Sequence, residues 1–176
     1  MNDLTTLSGN HDVCLKALTA HDLTDLTLLA NDPNVAKNLR DAFPSPYSFH
    51  DAQEFLSLLE SGVIKHTWGI YYQQQIAGVL SITPQTDIYQ HTAEIGYWLG
   101  APFHGKGIMT EAVSLATAYA LREMNVQRIF AGVFAPNEAS KKVLLKNGYY
   151  LEAIRKNAVI KNGVLYDDYF FVKLNT

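Results

Sequence analysis

The fold is decided by residues 94–112, which read EIGYWLGAPFHGKGIMTEA. Aromatic and β-branched residues are frequent over 91–99, which predicts a strand. Apolar residues then recur at helical spacing over 107–124 and cover one broad face, which predicts a long helix. A short loop containing glycines joins the two elements. Strand, glycine loop and helix are therefore the elements from which the rest of the prediction is built.

The glycine loop has the properties of an anion-binding site. Gly105 and Gly107 let the main chain approach a ligand closely, and the first amides of a helix have no partner inside it. The helix dipole favours a phosphate group at that position, and Lys106 adds a mobile positive charge. The glycine spacing fits neither a P-loop nor a dinucleotide-binding fingerprint. Taken alone, a glycine-rich turn before an ordinary helix explains the loop equally well.

The remaining sequence predicts a mixed α/β chain that forms a single domain, residues 1–176. Ser48 followed by Asp51 indicates a helix start, Pro136 suits a first helical turn, and Asn162-Gly163 indicates a hairpin. The predicted strands lie at 13–18, 67–72, 75–83, 91–99, 128–134, 149–154 and 164–174. The predicted helices lie at 20–31, 48–62, 107–124 and 136–147.

Composition argues against several classes of protein. The chain has 176 residues, a net charge of −3 and a pI near 6.0, so nothing suggests an overall attraction to nucleic acid. Cys14 is the only cysteine, so no intrachain disulfide can form, and the histidines lack metal-ligand spacing. Residues 1–10 do not resemble a signal peptide, and no segment is long enough to cross a membrane. We therefore expect a cytoplasmic protein without metal, membrane or direct nucleic-acid binding.

Two segments carry a resemblance to a known family. Residues 94–100 with 104–112 are similar to the acetyl-CoA signature of the GNAT acetyltransferases. Residues 137–149 resemble the second signature of that superfamily, Asn-x-x-Ser/Ala-x-x-x-Leu ending in Gly-Phe/Tyr. The match is closest to the ribosomal-protein N-terminal acetyltransferase branch (the RimJ/RimL type) and covers nearly the whole chain. One departure is that the first and last positions of the family loop are His104 and Met109.

The resemblance implies a fold and a cosubstrate. The fold is a single mixed, largely antiparallel sheet of six to seven strands with about four helices, and the strands at 91–99 and 128–134 splay apart. The cosubstrate is acetyl-CoA, with loop amides on its diphosphate and main-chain groups of Trp98 and Leu99 on its pantetheine arm. The implied binding residues are Trp98, Leu99, His104, Gly105, Lys106, Gly107, Ile108, Met109, Thr110, Asn137, Ser140 and Lys141.

Two side chains are candidates for the chemistry. Glu94 is the one acid in an otherwise apolar strand, which suits a general base; the alternative is an exposed or strand-bound glutamate. Ser140 is the candidate donor to the leaving thiolate, because the tyrosine that many family members use aligns with Leu144; the alternative is a helix-capping serine. Asp167 and Asp168 are interpreted as an exposed face or turn rather than as acceptor-binding residues.

Three functions remain open. The first is acetylation of a protein N-terminal α-amine, with ribosomal proteins as the favoured substrates. The second is acetylation of a small amine, such as a polyamine, an aminoglycoside or an amino acid. The third is a non-catalytic acyl-CoA-binding module. The mild acidity of the chain and the lack of an obvious acidic cluster favour the first over a polyamine site. A monomer and a homodimer are both consistent with the sequence.

Overall fold

A computed structural model describes residues 4–176 and contains one eight-stranded sheet in the order β1-β2-β3-β4-β5-β6-β8-β7. The strands are β1 (Leu7–Ser8), β2 (Val13–Lys16), β3 (Thr67–Tyr72), β4 (Gln75–Pro84), β5 (Thr92–Leu99), β6 (Arg128–Phe134), β7 (Tyr150–Lys161) and β8 (Val164–Leu174). The helices are α1 (Leu23–Ala30), α2 (Pro33–Ala36), α3 (Phe49–Glu60), α4 (Ile108–Glu123) and α5 (Glu138–Lys146). The expected mixed, largely antiparallel sheet is confirmed, since only β5 and β6 run parallel.

Two short elements were not predicted. Strand β1 has two residues, too few for an alternating pattern, and it forms only by pairing with Leu15 and Cys14 of β2. Asn31-Asp32-Pro33 ends α1, as expected. The same residues begin α2, because the Asp32 side chain accepts from the amide of Asn34 and Pro33 fits the first turn.

Local signals set most of the other boundaries. Ser48 and Asp51 form the predicted capping box of α3. Asn162 and Gly163 both adopt positive φ in a two-residue turn, as a hairpin of this kind requires. Strand β7 extends to Lys161, well beyond the predicted end at 154. Its outer half is mostly exposed, has no alternating apolar pattern and is held by pairing with β8.

The start of α5 corrects the prediction. The helix begins at Glu138 rather than at Pro136, because Asn137 is its N-cap and accepts from the amide of Ser140. Gly148 follows the helix with φ +75°, as expected for a C-terminal stop. The shift puts Ser140 at the third helical position, where its side chain does not serve as the cap.

Helices cover both faces of the sheet. On one face, α4 and α5 pack over odd-numbered residues of β5 and β6 and form the larger core; its members include Ala93, Ile95, Ile129, Ala131, Val133, Ala112, Ala116 and Leu144. On the other face, α1 and α3 pack over β3, β4 and the Trp98 side chain. Side chains of one strand alternate between these faces. Neighbouring residues of β5 therefore serve different sides of the molecule.

Strands β5 and β6 separate partway along their length. Their parallel pairing covers Thr92–Arg128, Ala93–Ile129 and Glu94–Phe130, and then stops. Strand β5 nevertheless continues to Leu99, paired with β4 on its other side. The expected splay is thus present, and the gap opens just beyond Glu94.

Candidate active site

The loop before α4 presents unpartnered main-chain donors. Gly105 and Gly107 adopt φ +75° and +78°, and Gly107 is the N-cap of α4 without any side-chain cap. Within residues 4–176, the amides from 105 to 110 have no hydrogen-bond partner. Ile108 and Met109 are buried and anchor the first turn. The result is a fixed cluster of N–H groups at the positive end of a helix dipole.

The glycines are required by conformation and not by crowding. A Cβ added at Gly105 or Gly107 would meet no protein atom within 4 Å. Only glycine takes this left-handed φ without strain. An added side chain would project into the open space beside the amides, where a ligand would lie.

Side chains around the loop hold it in shape. The His104 Nε2 atom lies 2.8 Å from the carbonyl oxygen of Leu99, so the ring ties the loop back to the end of β5. The ammonium of Lys106 lies 5.7 Å from the ring centroid of Phe103 and 5.9 Å from that of Tyr72. Lys106 is exposed and belongs to the segment of unpartnered amides.

The gap exposes one set of main-chain groups on β5. Gly100 N donates to Ala77 O and Gln85 N donates to Thr92 O, so even-numbered positions bond to β4. Odd-numbered positions point toward β6, which has separated from β5 beyond position 94. The main-chain groups of Tyr97 and the N–H of Leu99 therefore face the gap, whereas the Leu99 carbonyl oxygen already bonds to His104. The main-chain groups of Trp98, expected to bind the pantetheine arm, face β4 instead.

A cavity of about 360 Å³ connects the loop with the gap. Its wall contains Tyr97, Trp98, Leu99, His104, Gly105, Gly107, Ile108, Met109, Thr110, Asn137, Ser140, Val143 and Lys146, together with residues of the segment 34–39. Most of the residues expected to bind acetyl-CoA thus meet in one cavity. Lys106 and Lys141 do not line it.

Lys141 is engaged elsewhere. Its ammonium donates to the carbonyl oxygen of Ala135 and to Glu138 Oε1, both at 2.7 Å, and lies 3.8 Å from the centroid of the Tyr169 ring. These contacts leave it unavailable for the 3′-phosphate of CoA, the group that a lysine on this helix was expected to meet. Lys146, five residues further along α5, is exposed and lines the cavity. The prediction of Lys141 as a binding residue did not foresee these contacts, because the Tyr169 ring that it approaches lies on β8.

Tyr97 is a residue that the sequence reasoning missed. Its hydroxyl lies 2.8 Å from Ser140 Oγ, which joins β5 to α5 across the cavity. Burial raises the pKa of Tyr97 well above its usual value, with a smaller opposing effect of the bond to Ser140. The phenol therefore stays protonated at neutral pH. The available signal was its odd-numbered position beside Ala93 and Ile95, which places the ring toward the helices.

Glu94 lies on the opposite face of the sheet from Ser140. Its carboxylate forms an ion pair with Arg40 in the segment between α2 and α3, and its side chain is 24% exposed. A second cavity of about 320 Å³ is lined by both Glu94 and Ser140. It shares Tyr97, Trp98 and Asn137 with the first cavity. Glu94 and Ser140 therefore lie on opposite sides of the gap between β5 and β6, and they can take part in the same reaction only through that gap.

Comparison with known families decides the identity of this arrangement. Residues 12–150 match the model of the acetyltransferase (GNAT) domain. This chain belongs to the GNAT acetyltransferase family. Enzymes of the family use acetyl-CoA and need no metal. The GNAT fold expected from the two signature segments is thereby established.

The relatives of this GNAT chain carry names that differ in whether they point to an acceptor. The probable N-acetyltransferase YjcK of Bacillus subtilis is 46% identical over 84 residues, which is 48% of this chain and 46% of YjcK. The ribosomal-protein-serine acetyltransferase of Escherichia coli is 26% identical, over 74% of this chain and 75% of its own. The microcin C7 self-immunity acetyltransferase MccE, solved with acetyl-CoA and AMP, is 30% identical with a TM-score of 0.78, over 94% of this chain and 93% of that chain.

Two further observations concern the described part of the chain. Over residues 4–176, no three His, Cys, Asp or Glu side chains are grouped closely enough to hold a metal ion. None of the helices in that range is both long and apolar enough to cross a membrane.

Proposed function

We propose that this GNAT chain transfers the acetyl group of acetyl-CoA to a primary amine by direct attack of the amine on the thioester. The observation that carries the proposal is the cluster of unpartnered amides at residues 105–110, which opens into the same cavity as the free edge of β5. A diphosphate fits such a cluster because its oxygens accept hydrogen bonds and its charge is favourable at a helix N-terminus. Acetyl-CoA, when bound, supplies the activated acetyl group.

The chain positions the thioester. The main-chain groups of Tyr97 and the N–H of Leu99 face the gap, and those of Tyr97 can pair with the amides of the pantetheine arm as a further strand would. The Leu99 N–H is our candidate donor to the oxyanion that develops on the acetyl carbonyl. Holding both reactants in a fixed geometry removes a large part of the entropic barrier to transfer.

The acceptor amine reaches the thioester from the opposite face of the sheet. Glu94 lines the second cavity at the mouth of the gap, so its carboxylate is the candidate that takes a proton from the ammonium. Arg40 occupies that carboxylate in the structure and is 75% exposed, so it can move aside when a cationic amine enters.

Ser140 is the candidate partner of the leaving sulfur. Its hydroxyl can donate to the thiolate while it accepts a hydrogen bond from the Tyr97 hydroxyl. The phenol keeps its proton because burial raises the pKa of Tyr97. Tyr97 thus supplies from β5 the phenol that is missing at Leu144, whose side chain is completely buried in the core.

The acceptor favoured here is the N-terminal α-amine of a protein. The E. coli relative that acetylates a ribosomal-protein serine supports this choice. A third cavity, of about 530 Å³, adjoins the second at Glu94, and its acids are Glu94, Asp41 and Asp168. Each of these acids forms an ion pair within the chain. A polyamine would need several free carboxylates, so the charge pattern disfavours that class.

A small amine carried on a nucleotide is the second candidate. MccE, which is similar over nearly the whole chain, was solved with acetyl-CoA and AMP. The test is release of free CoA with a panel of N-terminal peptides, aminoacyl-nucleotide analogues, polyamines and aminoglycosides. Turnover confined to peptides supports the protein N-terminal α-amine as the acceptor. Turnover confined to nucleotide conjugates would contradict that choice and support the second candidate. Binding of acetyl-CoA without turnover on any amine would instead identify a non-catalytic module.

A further inference from the structure

Asp168 is a buried acid that holds an arginine in place. The residue is 5% exposed, and its Oδ2 atom accepts a hydrogen bond from Arg155 of β7. A buried charge without a counter-charge is strongly unfavourable, so this ion pair fixes Arg155 beside β8. The sequence interpretation of Asp168 as an exposed residue is wrong, because β8 is an inner strand and the carboxylate is paired with a side chain of the neighbouring strand.

Gly132 gives the Arg155–Asp168 pair its place on the sheet. A Cβ built on Gly132 would lie 2.9 Å from Asp168 Oδ1 and 3.4 Å from Arg155 Nη2, so the pair fills the space that a side chain would need. The carboxylate is buried, whereas 52% of the Arg155 side chain is exposed. Within residues 4–176, the guanidinium donates only to Asp168, which leaves further N–H donors free. The guanidinium is therefore the part of the pair that a ligand can reach.

Arg155 lines the third cavity, which continues from the acceptor entrance. Glu94 and Gly132 line both the second and the third cavity, so the two cavities are continuous. Glu94 lies opposite Phe130 in the sheet, and Gly132 follows two residues later on the same face of β6. Neighbouring strands are about 4.8 Å apart and two residues of a strand span about 6.6 Å. The Cα atoms of Glu94 and Gly132 are therefore at least about 8 Å apart, since the strands separate beyond Glu94.

The charges that line the third cavity balance one another. They form the ion pairs Arg40–Glu94, Lys161–Asp41 and Arg155–Asp168. A cationic amine that takes the Glu94 carboxylate displaces Arg40, and the other acids of the lining are already paired. The amine therefore adds a positive charge that no acid of the cavity compensates. An anionic group carried by the acceptor itself would restore the balance.

We infer that Arg155, together with Arg40 displaced from Glu94, forms a subsite for a carboxylate of the acceptor. The inference rests on the proposed acetyl transfer and narrows the acceptor class to amines followed by an acidic residue. An extended chain advances about 3.3–3.6 Å per residue, so a side-chain carboxylate on the second residue can span the distance from Glu94 to the guanidinium over Gly132. Hydrogen bonds between guanidinium and carboxylate are of the stronger, charge-assisted kind. Asp168 does not touch the acceptor and is a positioning residue for Arg155.

The first test uses the wild-type protein with acceptor peptides that differ only in their second residue, which is Glu, Gln or Lys. We expect the KM of the Glu peptide to be about 3- to 10-fold lower than that of the Gln peptide, the range for a charged hydrogen bond that is partly exposed to solvent. The Lys peptide should have the highest KM. Added salt should reduce these differences, because it screens exposed charges. A KM for the Gln peptide equal to or below that of the Glu peptide would overturn the inference.

The second test removes the guanidinium over Gly132. The double variant Arg155→Gln/Asp168→Asn replaces the ion pair by a neutral pair, so no buried charge is left alone. It should bring the KM values of the Glu and Gln peptides to within about twofold of each other. Arg155→Lys keeps a cation beside Asp168 and should retain part of the preference. The KM for acetyl-CoA should stay unchanged in both variants, because Arg155 does not line the cavity that contains the glycine loop.

The third test depends on the sign of an effect. Arg40→Gln removes the cation that competes with the amine for Glu94, so it should lower the KM of the Gln peptide. The same change removes a partner of the acceptor carboxylate, so the advantage of the Glu peptide should shrink. Lys37→Gln is the matched control, because Lys37 is an exposed cation near Arg40 in the chain and lies outside the three cavities. It should leave both KM values unchanged.

The outcomes separate the two proposals. The subsite is refuted and acetyl transfer stands if the wild type acetylates the peptides without preferring Glu to Gln at the second residue. The same conclusion follows if the preference persists in full in both Arg155→Gln/Asp168→Asn and Arg40→Gln. If the wild type acetylates no amine, acetyl transfer fails and the subsite fails with it.

Discussion

Substitution of Gly107 by alanine separates backbone strain from ligand binding. Gly107 adopts φ +78°, and an alanine held in that region raises the energy of the folded chain by about 1–2 kcal/mol. For a chain of this size, that corresponds to a fall in Tm of about 2–8 °C. The new methyl group meets no protein atom, so it stands in the space beside the unpartnered amides.

The effect on acetyl-CoA affinity follows from the displaced phosphate. Loss of one hydrogen bond between an amide and a charged oxygen weakens binding by about 1.5–3 kcal/mol, which is about 10- to 150-fold in Kd. Gly163→Ala is the matched control, because Gly163 has φ +76° and equally open surroundings but lies in the β7–β8 hairpin turn. Both variants should lose similar stability, and only Gly107→Ala should lose affinity.

The assay is titration calorimetry with acetyl-CoA beside thermal unfolding of the same samples. Gly105→Ala, at φ +75°, should behave like Gly107→Ala. Wild-type Kd in Gly107→Ala, together with the stability loss seen in Gly163→Ala, would refute the assignment of the loop. Equal loss of affinity in all three variants would attribute the effect to general destabilisation instead.

Further expectations concern the chemical step. Glu94→Gln should lower kcat by about 10²- to 10⁴-fold with little change in acetyl-CoA affinity, the range for a general base; an unchanged pH–rate profile would remove that role. Ser140→Ala and Tyr97→Phe should each slow acetyl transfer. The double variant should be no slower than the slower single variant, because the two hydroxyls act through one hydrogen bond. Additive effects in a stopped-flow assay would contradict this coupling. Burial raises the pKa of Tyr97, so the wild-type rate should show no descending limb from this phenol up to about pH 10, its ordinary value. Lys146→Ala should weaken the binding of CoA more than that of dephospho-CoA, which lacks the 3′-phosphate. Lys142 is exposed and lies outside the cavity, so Lys142→Ala should affect the two affinities equally.

Much of the fold was predictable because its signals are local. The apolar periodicity of α4, the capping box at Ser48 and the Asn162-Gly163 turn each specify their element through contacts within a few residues. Strand β1 was not predictable, since a two-residue strand has no pattern and exists only by pairing with β2. The start of α5 was misplaced because Pro136 and Asn137 both suit the N-terminus of a helix. The Asn137 side chain, which caps the helix, decides between them.

The site was predictable as a set of residues but not as an arrangement. The glycine loop and Ser140 come together in one cavity, as the signature segments suggested. The alternation of β5 assigned the free main-chain groups to odd-numbered positions, which excluded the main-chain groups of Trp98 although the residue still lines the cavity. The partners of Ser140, Lys141 and Asp168 lie on other elements of the sheet or at a distance along the chain. No local pattern reports such contacts.

The most direct test of the acetyl-CoA assignment is a crystal structure of the chain with CoA bound. The account predicts diphosphate oxygens about 2.7–3.2 Å from main-chain nitrogens of residues 105–110, and the pantetheine arm between β5 and β6. A diphosphate held away from this loop, or a pantetheine arm outside the gap, would contradict it.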